Sequence, residues 1–193
     1  WNLHALTDYN GITLQYKEVA RKVAKFHIAM GEAGIKPGDR IAVCGRNGAL
    51  WGVTFLAAAT YGAVIVPIFH EFKADNIHNI VNHSEAKLLF VGDQIWENLD
   101  ENAMSLLMGI MSLFDFSLLV SRSEALTYGH GHRNEIYGKR YPMSFRQENV
   151  SYRRNQPEEL MLINYTSGTT GYSKGVMLSY RSILSNVLYC EEM

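Results

Sequence analysis

Only two cysteines, Cys44 and Cys190, occur in 193 residues. That is too few for a disulfide framework, and neither has a second cysteine or a histidine at metal-ligand spacing. A reducing cytoplasm is the simplest setting. Neither sign of charge predominates: 18 Lys and Arg against 19 Asp and Glu leave a formal net charge of −1. Such a balance gives no general attraction for nucleic acid or an anionic membrane, so an anion site has to be built locally. The sequence has no internal repeat, and no run of the roughly eighteen apolar residues that a spanning helix needs. It opens on Trp1 without a methionine or a signal-peptide pattern, from which a fragment of a longer protein is expected. What is plentiful is apolar side chain, 47% of residues against 19% charged, which supports a real core and excludes wholesale disorder.

The pattern of those apolar residues is that of an α/β protein. Tyr16 to Ala33 carries Tyr16, Val19, Ala20, Val23, Phe26 and Met30 on one helical stripe, with Gly34 placed to end it. "RIAVCG", Arg40 to Gly45, is a short continuous apolar run, as expected of a parallel strand buried on both faces. Asn47 is placed to cap a helix whose Leu50, Trp51, Thr54, Phe55 and Ala58 face inward. "AVIVPI" reads as a second strand, Ala74 or Asp75 opens a helix bearing Ile77, Ile80 and Val81, and "KLLFVG" reads as a third strand. Strands alternating with helices imply βαβ units on a mainly parallel sheet flanked by helices.

Beyond these units, which fill residues 1–120, the signal weakens. Asp93 to Ser117 looks helical, and "SLLV" reads as a fourth strand. Residues 121–157, with "TYGHGHRNEIYGKR", show no period and are expected to be an irregular connection. In 158–193, "ELMLINYT" and "GVMLS" read as two strands around a loop. Ser179 then caps a last helix, Tyr180 to Glu192, with Ile183, Val187 and Leu188 on its apolar face.

The loop between those strands is unusual. "INYTSGTTGYSKGVMLS" crowds Thr166, Ser167, Thr169, Thr170 and Ser173 together with Gly168, Gly171 and Gly175 around one cation, Lys174. Glycines let consecutive backbone N–H groups approach an anion, hydroxyls add donors that rotate to suit, and lysine adds charge. A Walker loop is excluded: Ser173 stands where its glycine is required, Gly175 follows the lysine where Ser or Thr should, and the setting is strand to strand.

"YTSGTTGYSKGV" instead resembles the phosphate-loop signature of the adenylate-forming (AMP-binding) enzymes, [YF]-T-S-G-[ST]-T-G-x-P-K-G-V, departing only at Ser173, where proline is usual. Upstream, "GITLQYKEVARKVAKFHIAMGEAGIKPGDRIAV" and "GRNGALWGVTFLAAATYGAVIVPI" are similar to the start of that family's large domain, so 1–193 reads as its N-terminal portion. The Asn47-x-x-x-Trp51 spacing and the long stretch between Gly92 and Glu158 resemble the long-chain-fatty-acid–CoA ligase branch. The resemblance implies two half-reactions: fatty acid and ATP give an acyl-adenylate and pyrophosphate, then coenzyme A displaces AMP. It implies that Thr166, Ser167, Gly168, Thr169, Thr170, Gly171 and Lys174 grip phosphate, and that Thr166 is the candidate Mg²⁺ ligand. The family's later motifs, its magnesium glutamate and its catalytic lysine, are not in this stretch. No residue here is therefore assigned to catalysis, and the chain alone is expected to be inactive.

Blander readings compete. His130 and His132 of "GHGH" have no third ligand at suitable spacing and read as a polar surface loop. His27 reads as a structural histidine. Ala103 to Phe114 could lie on a membrane as a weak peripheral contact, but has no basic flank and reads as a packed helix. A non-catalytic nucleotide- or acyl-binding module, or an interaction domain with an incidental loop, are the alternatives to a ligase.

Overall fold

The structure is a computed structural model and describes residues 1–166 and 173–191. A two-stranded antiparallel ribbon, β1 (His4–Thr7) and β2 (Thr13–Gln15), leads into α1 (Tyr16–Glu32). Then follow β3 (Arg40–Cys44), α2 (Ala49–Tyr61), β4 (Val64–Ile68), α3 (Ala74–His83), β5 (Leu88–Val91) and one turn, α4 (Asp93–Trp96). The chain continues through β6 (Gly109–Ser112), β7 (Leu118–Ser121), α5 (Glu124–Arg140), β8 (Leu160–Thr166), β9 (Lys174–Ser179) and α6 (Tyr180–Glu191).

Seven strands form one sheet in the order β7-β6-β5-β3-β4-β8-β9. The inner five are parallel, and the outer strands β7 and β9 run antiparallel to their neighbours. Pleating splits each inner strand between two cores. Ile41, Val43, Ile65, Leu88 and Phe90 pack with Val23 and Phe26 of α1, Val53 and Ala57 of α2 and Leu126 of α5. Ala42, Cys44, Val64, Val66, Leu89 and Val91 pack with Ile77, Ile80 and Val81 of α3 and with Met104 and Leu107. The direction of chain travel explains the two layers. β3 to β4 moves one way along the sheet and β4 to β5 moves back past β3, so crossovers of one hand put α2 and α3 on opposite faces.

Three expectations are corrected. Asp93 to Ser117 is not one helix: after α4 and a 3₁₀ turn (Glu101–Ala103) it forms β6, and "AMSLLMGIMSLF" is not a packed helix. A short, wholly buried apolar run has no period to separate strand from helix. Pairing with β5 and β7 makes this run a strand, and Gly109 permits the close approach, since a Cβ there would lie 2.8 Å from the Val120 carbonyl oxygen of β7 and collide with Leu126. Residues 121–157 are not irregular throughout, because α5 fills 124–140. The Ser123 hydroxyl caps it, and Gly129 lets it press on α1, where a Cβ would lie 2.7 Å from Glu32 Cβ and 2.9 Å from the Ala29 oxygen. His130 and His132 are thus helical; their rings bond the Phe116 and Tyr128 carbonyls. Finally, Asn47 does not cap α2. Gly48 is the cap position, and Asp8 Oδ1, from the β1–β2 turn, accepts from Ala49 N–H.

The last segment is tied to the C-terminal end of α2. The Ala59 carbonyl accepts from Asn155 Nδ2 at 3.0 Å and from the Tyr180 hydroxyl at 2.6 Å, and Arg153 N–H donates to the Thr60 carbonyl. Ser179 Oγ accepts from Ser182 N–H, so it caps α6 as expected. Ile183 packs on the core while Val187 and Leu188 are exposed. His27 is structural: its Nε2 lies 3.1 Å from the Ala57 carbonyl oxygen and 3.1 Å from Thr60 Oγ1. Among the described residues no helix is long and apolar enough to cross a membrane.

Two predictions follow from this packing. Asp8→Ala leaves the N-terminus of α2 without its carboxylate and is expected to lower unfolding free energy by about 1 kcal/mol; urea denaturation of the two chains measures it. Burial, opposed only by the Ala57 carbonyl, holds the His27 pKa below its ordinary 6.5. The unfolded chain therefore binds a proton that the folded chain refuses as pH falls below 6.5, so stability present above that pH is lost on acidification. His27→Gln is expected to flatten part of that loss in urea midpoints, and His130, lowered in the same direction, accounts for a remainder. An unchanged pH profile would remove His27 from the responsible groups.

Candidate functional site

The carboxyl ends of β3, β4, β5 and β8 meet at one edge of the sheet, where open parallel sheets bind ligands. Two clefts open there. One, of about 760 Å³, is lined by Gly45 and Arg46 after β3, His70 to Ala74 after β4, Gly92 to Ile95 after β5, and Phe114. The other, of about 480 Å³, lies toward β8 and is lined by Arg46, Asn47, Trp51, Phe69, His70, Asn164 and Tyr165. Arg46 and His70 border both. Trp51 stacks on Phe55, ring centroids 5.5 Å apart, one turn along α2.

The hydroxyl-rich segment leaves the sheet at this edge. β8 and β9 pair in register through Leu162↔Leu178, Asn164↔Val176, Tyr165↔Gly175 and Thr166↔Lys174. Both strands were expected; β8 ends at Thr166 as the sequence suggested, and β9 begins one residue earlier than "GVMLS", at Lys174. Thr166 and Lys174 are therefore directly opposed, both exposed, as the last described pair of the two strands. Of the residues assigned to phosphate from sequence, these two are brought together here. Ser167, Gly168, Thr169, Thr170 and Gly171 lie outside the described residues.

The pair behind the mouth fixes its position. Tyr165 turns its ring into the core on the α3 side, and its hydroxyl lies 2.7 Å from His83 Nδ1 in the last turn of α3. Burial raises the pKa of that phenol, with Arg40 acting weakly the other way, so it stays neutral. Gly175 faces the ring: a Cβ there would fall 2.9 Å from Ile163 Cγ2 and 3.1 Å from Tyr165 Cζ. The glycine that follows the motif's lysine is thus explained by packing against the tyrosine that opens the motif. Sequence reasoning missed the floor of the clefts, Arg46, His70 and Asn164. Each sits one or two residues past or near a strand end, which was the available signal.

Among the described residues no group of three His, Cys, Asp or Glu side chains converges as a metal would require. Thr166 supplies one hydroxyl oxygen, which suits a Mg²⁺ ion held chiefly by phosphates and water rather than a resident metal site.

A model of the AMP-binding enzyme family matches residues 2–193. YdaB of Bacillus subtilis (strain 168), named as a candidate acyl-CoA ligase, is 31% identical over 176 residues, 89% of this chain and 31% of that protein. Long chain acyl-CoA synthetase 1 of Arabidopsis thaliana is 27% identical over 181 residues, 90% of this chain and 26% of that protein. ATP-bound MatB from Rhodopseudomonas palustris has the same fold, with a TM-score of 0.68 at 21% identity over 96% of this chain and 34% of that one. The chain thus spans about a third or less of the length of these relatives. With its parallel sheet, its loop mouth and a family match along almost its whole length, the chain belongs to the AMP-binding enzyme family.

Proposed function

We propose that the chain is the phosphate-gripping N-terminal part of an ATP-dependent acyl-CoA ligase of the long-chain-fatty-acid type. The single observation that carries this reading is the opposition of Thr166 and Lys174 at the mouth of a segment with the family's phosphate-loop sequence. In the first half-reaction a carboxylate oxygen attacks the α-phosphorus of ATP, and the bond to the bridging oxygen breaks, releasing pyrophosphate and an acyl-adenylate. Negative charge then grows on the β,γ-phosphates. Lys174 meets that charge with its ammonium, and the Thr166 hydroxyl and the intervening amides and hydroxyls donate to the phosphate oxygens. Mg²⁺ supplies further charge neutralisation when bound, with Thr166 as one oxygen ligand. In the second half, the coenzyme A thiol displaces AMP to form the thioester, a step that expels no pyrophosphate.

The rigidity behind the mouth supports this assignment. Tyr165 is clamped between Gly175 and His83, so the strand ends hold Thr166 and Lys174 at one spacing before a ligand arrives. Preorganised donors lose less on binding than donors that must be gathered. The free thiols at Cys44 and Cys190 suit a reducing cytoplasm.

Two outcomes are expected. Calorimetry should show MgATP or tripolyphosphate binding to the chain, weakened by Lys174→Ala about ten- to a hundred-fold, the roughly 1.5–3 kcal/mol of one charged contact. Equal affinities would assign Lys174 no phosphate role. The chain by itself should also catalyse no fatty-acid-dependent exchange of pyrophosphate into ATP, and measurable exchange would falsify the division of labour.

A further inference from the structure

The β8–β9 hairpin has two faces, and the pleat sorts its residues between them. Leu162 belongs to the core on the α2 side of the sheet, while Ile163 and Tyr165 belong to the core on the α3 side. Asn164 and Thr166 therefore turn to the α2 side. Their cross-strand partners, Val176 and Lys174, share that face, since directly paired residues of an antiparallel ladder point the same way. The row that carries the phosphate pair thus continues to Asn164, about 7 Å from Thr166 at the usual strand rise.

Asn164 is exposed and lines the 480 Å³ cleft together with Trp51 of α2 and Arg46. Among the described residues Arg46 is the one permanently charged side chain in that lining, which holds no carboxylate; His70 is its other titratable group. Arg46 is exposed and makes no ion pair among the described residues. The acids bordering this edge are engaged or face the other cleft. Asp8 accepts from Ala49 N–H. Glu71 lies 3.9 Å from His70 and lines the 760 Å³ cleft, as does Asp93, which accepts from the Ser112 hydroxyl. Lys73 lines that larger cleft as well, so it carries both signs of charge, whereas the smaller one is positive only. A cleft lined by one sign of charge focuses its field on an ion of the other.

We propose that Arg46 and Asn164 are further phosphate-binding residues, along a polyphosphate that runs from the Thr166–Lys174 mouth over the α2-side face of β8 into the 480 Å³ cleft. This rests on the phosphate reading of the mouth and extends it. Thr166 and Lys174 hold the phosphates at the mouth, the Asn164 amide donates to the next, and Arg46 meets the far end with its guanidinium fork. Chain length is then selected: pyrophosphate occupies the mouth, and a third phosphate is needed to reach Arg46.

Calorimetric titration of the 193-residue chain with tripolyphosphate and with pyrophosphate tests this. Arg46→Gln is expected to weaken tripolyphosphate about tenfold and pyrophosphate less than about twofold, and Arg46→Lys to recover part of the loss. Asn164→Ala should act in the same direction, more weakly. Lys174→Ala should weaken both ligands alike. Lys73→Gln, which removes a cation from the larger cleft, should change neither by more than about twofold. Arg46 has no ion-pair partner among the described residues, so the melting temperature of Arg46→Gln should not fall. A loss for Lys174→Ala with none for Arg46→Gln would overturn this proposal and leave the mouth its role. Equal weakening of both ligands by Arg46→Gln would overturn it too, as the mark of a diffuse field and not a contact at the far end. A larger loss for Lys73→Gln than for Arg46→Gln would send the polyphosphate into the wrong cleft for it. Absence of tripolyphosphate binding to the unaltered chain would remove the phosphate reading of the mouth and this extension together.

Discussion

Everything else in this molecule hangs on a central strand that has no face to give to water. Ile41 and Val43 of β3 point into one core, and Ala42 and Cys44 into the other, all essentially without exposure. Such a strand is stable only with a helical layer on each side. The crossovers that build those layers return the chain each time to the same edge. Gly45, His70, Gly92 and Thr166 therefore end up on one rim although more than a hundred residues separate the first from the last. The clefts are a by-product of how β3 is buried.

The loop mouth depends on a second attachment, made by polar groups. Ala59, near the end of α2, offers one carbonyl that accepts from both Asn155 and Tyr180. Arg153 reaches Glu159 with two guanidinium nitrogens, and the Glu159 carboxyl is held down to about 2, chiefly by that hydrogen bond. These contacts bracket β8 and β9, so the hairpin that presents Thr166 and Lys174 is anchored at its base. Its tip is set separately, by Tyr165 against His83. The two anchors lie on opposite faces of the sheet.

Much of this was legible in the sequence where the pattern is local. β3, β4 and β5 announce themselves as short apolar runs between turn residues, α1 by its stripe, and the loop by a twelve-residue motif. What was not legible depends on partners far away. α5 has weak intrinsic reasons to be helical, with three glycines in "EALTYGHGHRNEIYGKR", and is held by the close approach of Gly129 to α1. β6 is a strand because β5 and β7 lie on either side of it. The α2 cap comes from Asp8, 41 residues before Ala49. At the site, Lys174 and Thr166 follow from the motif, whereas Arg46 and His70 are adjacent only because two strands end side by side.

Cys44 illustrates another property of so tightly enclosed a strand. Its side chain is fully buried and burial pushes its thiol up to about 12, while Cys190 on α6 is exposed. Thiolate is the form that reacts, so the chain carries one thiol that answers an alkylating reagent readily and one that is silent. The silent thiol becomes available when the core on the α3 side of the sheet opens. Its slow modification is a clock for the opening of the middle of the sheet, wound into the sequence and readable without adding a probe.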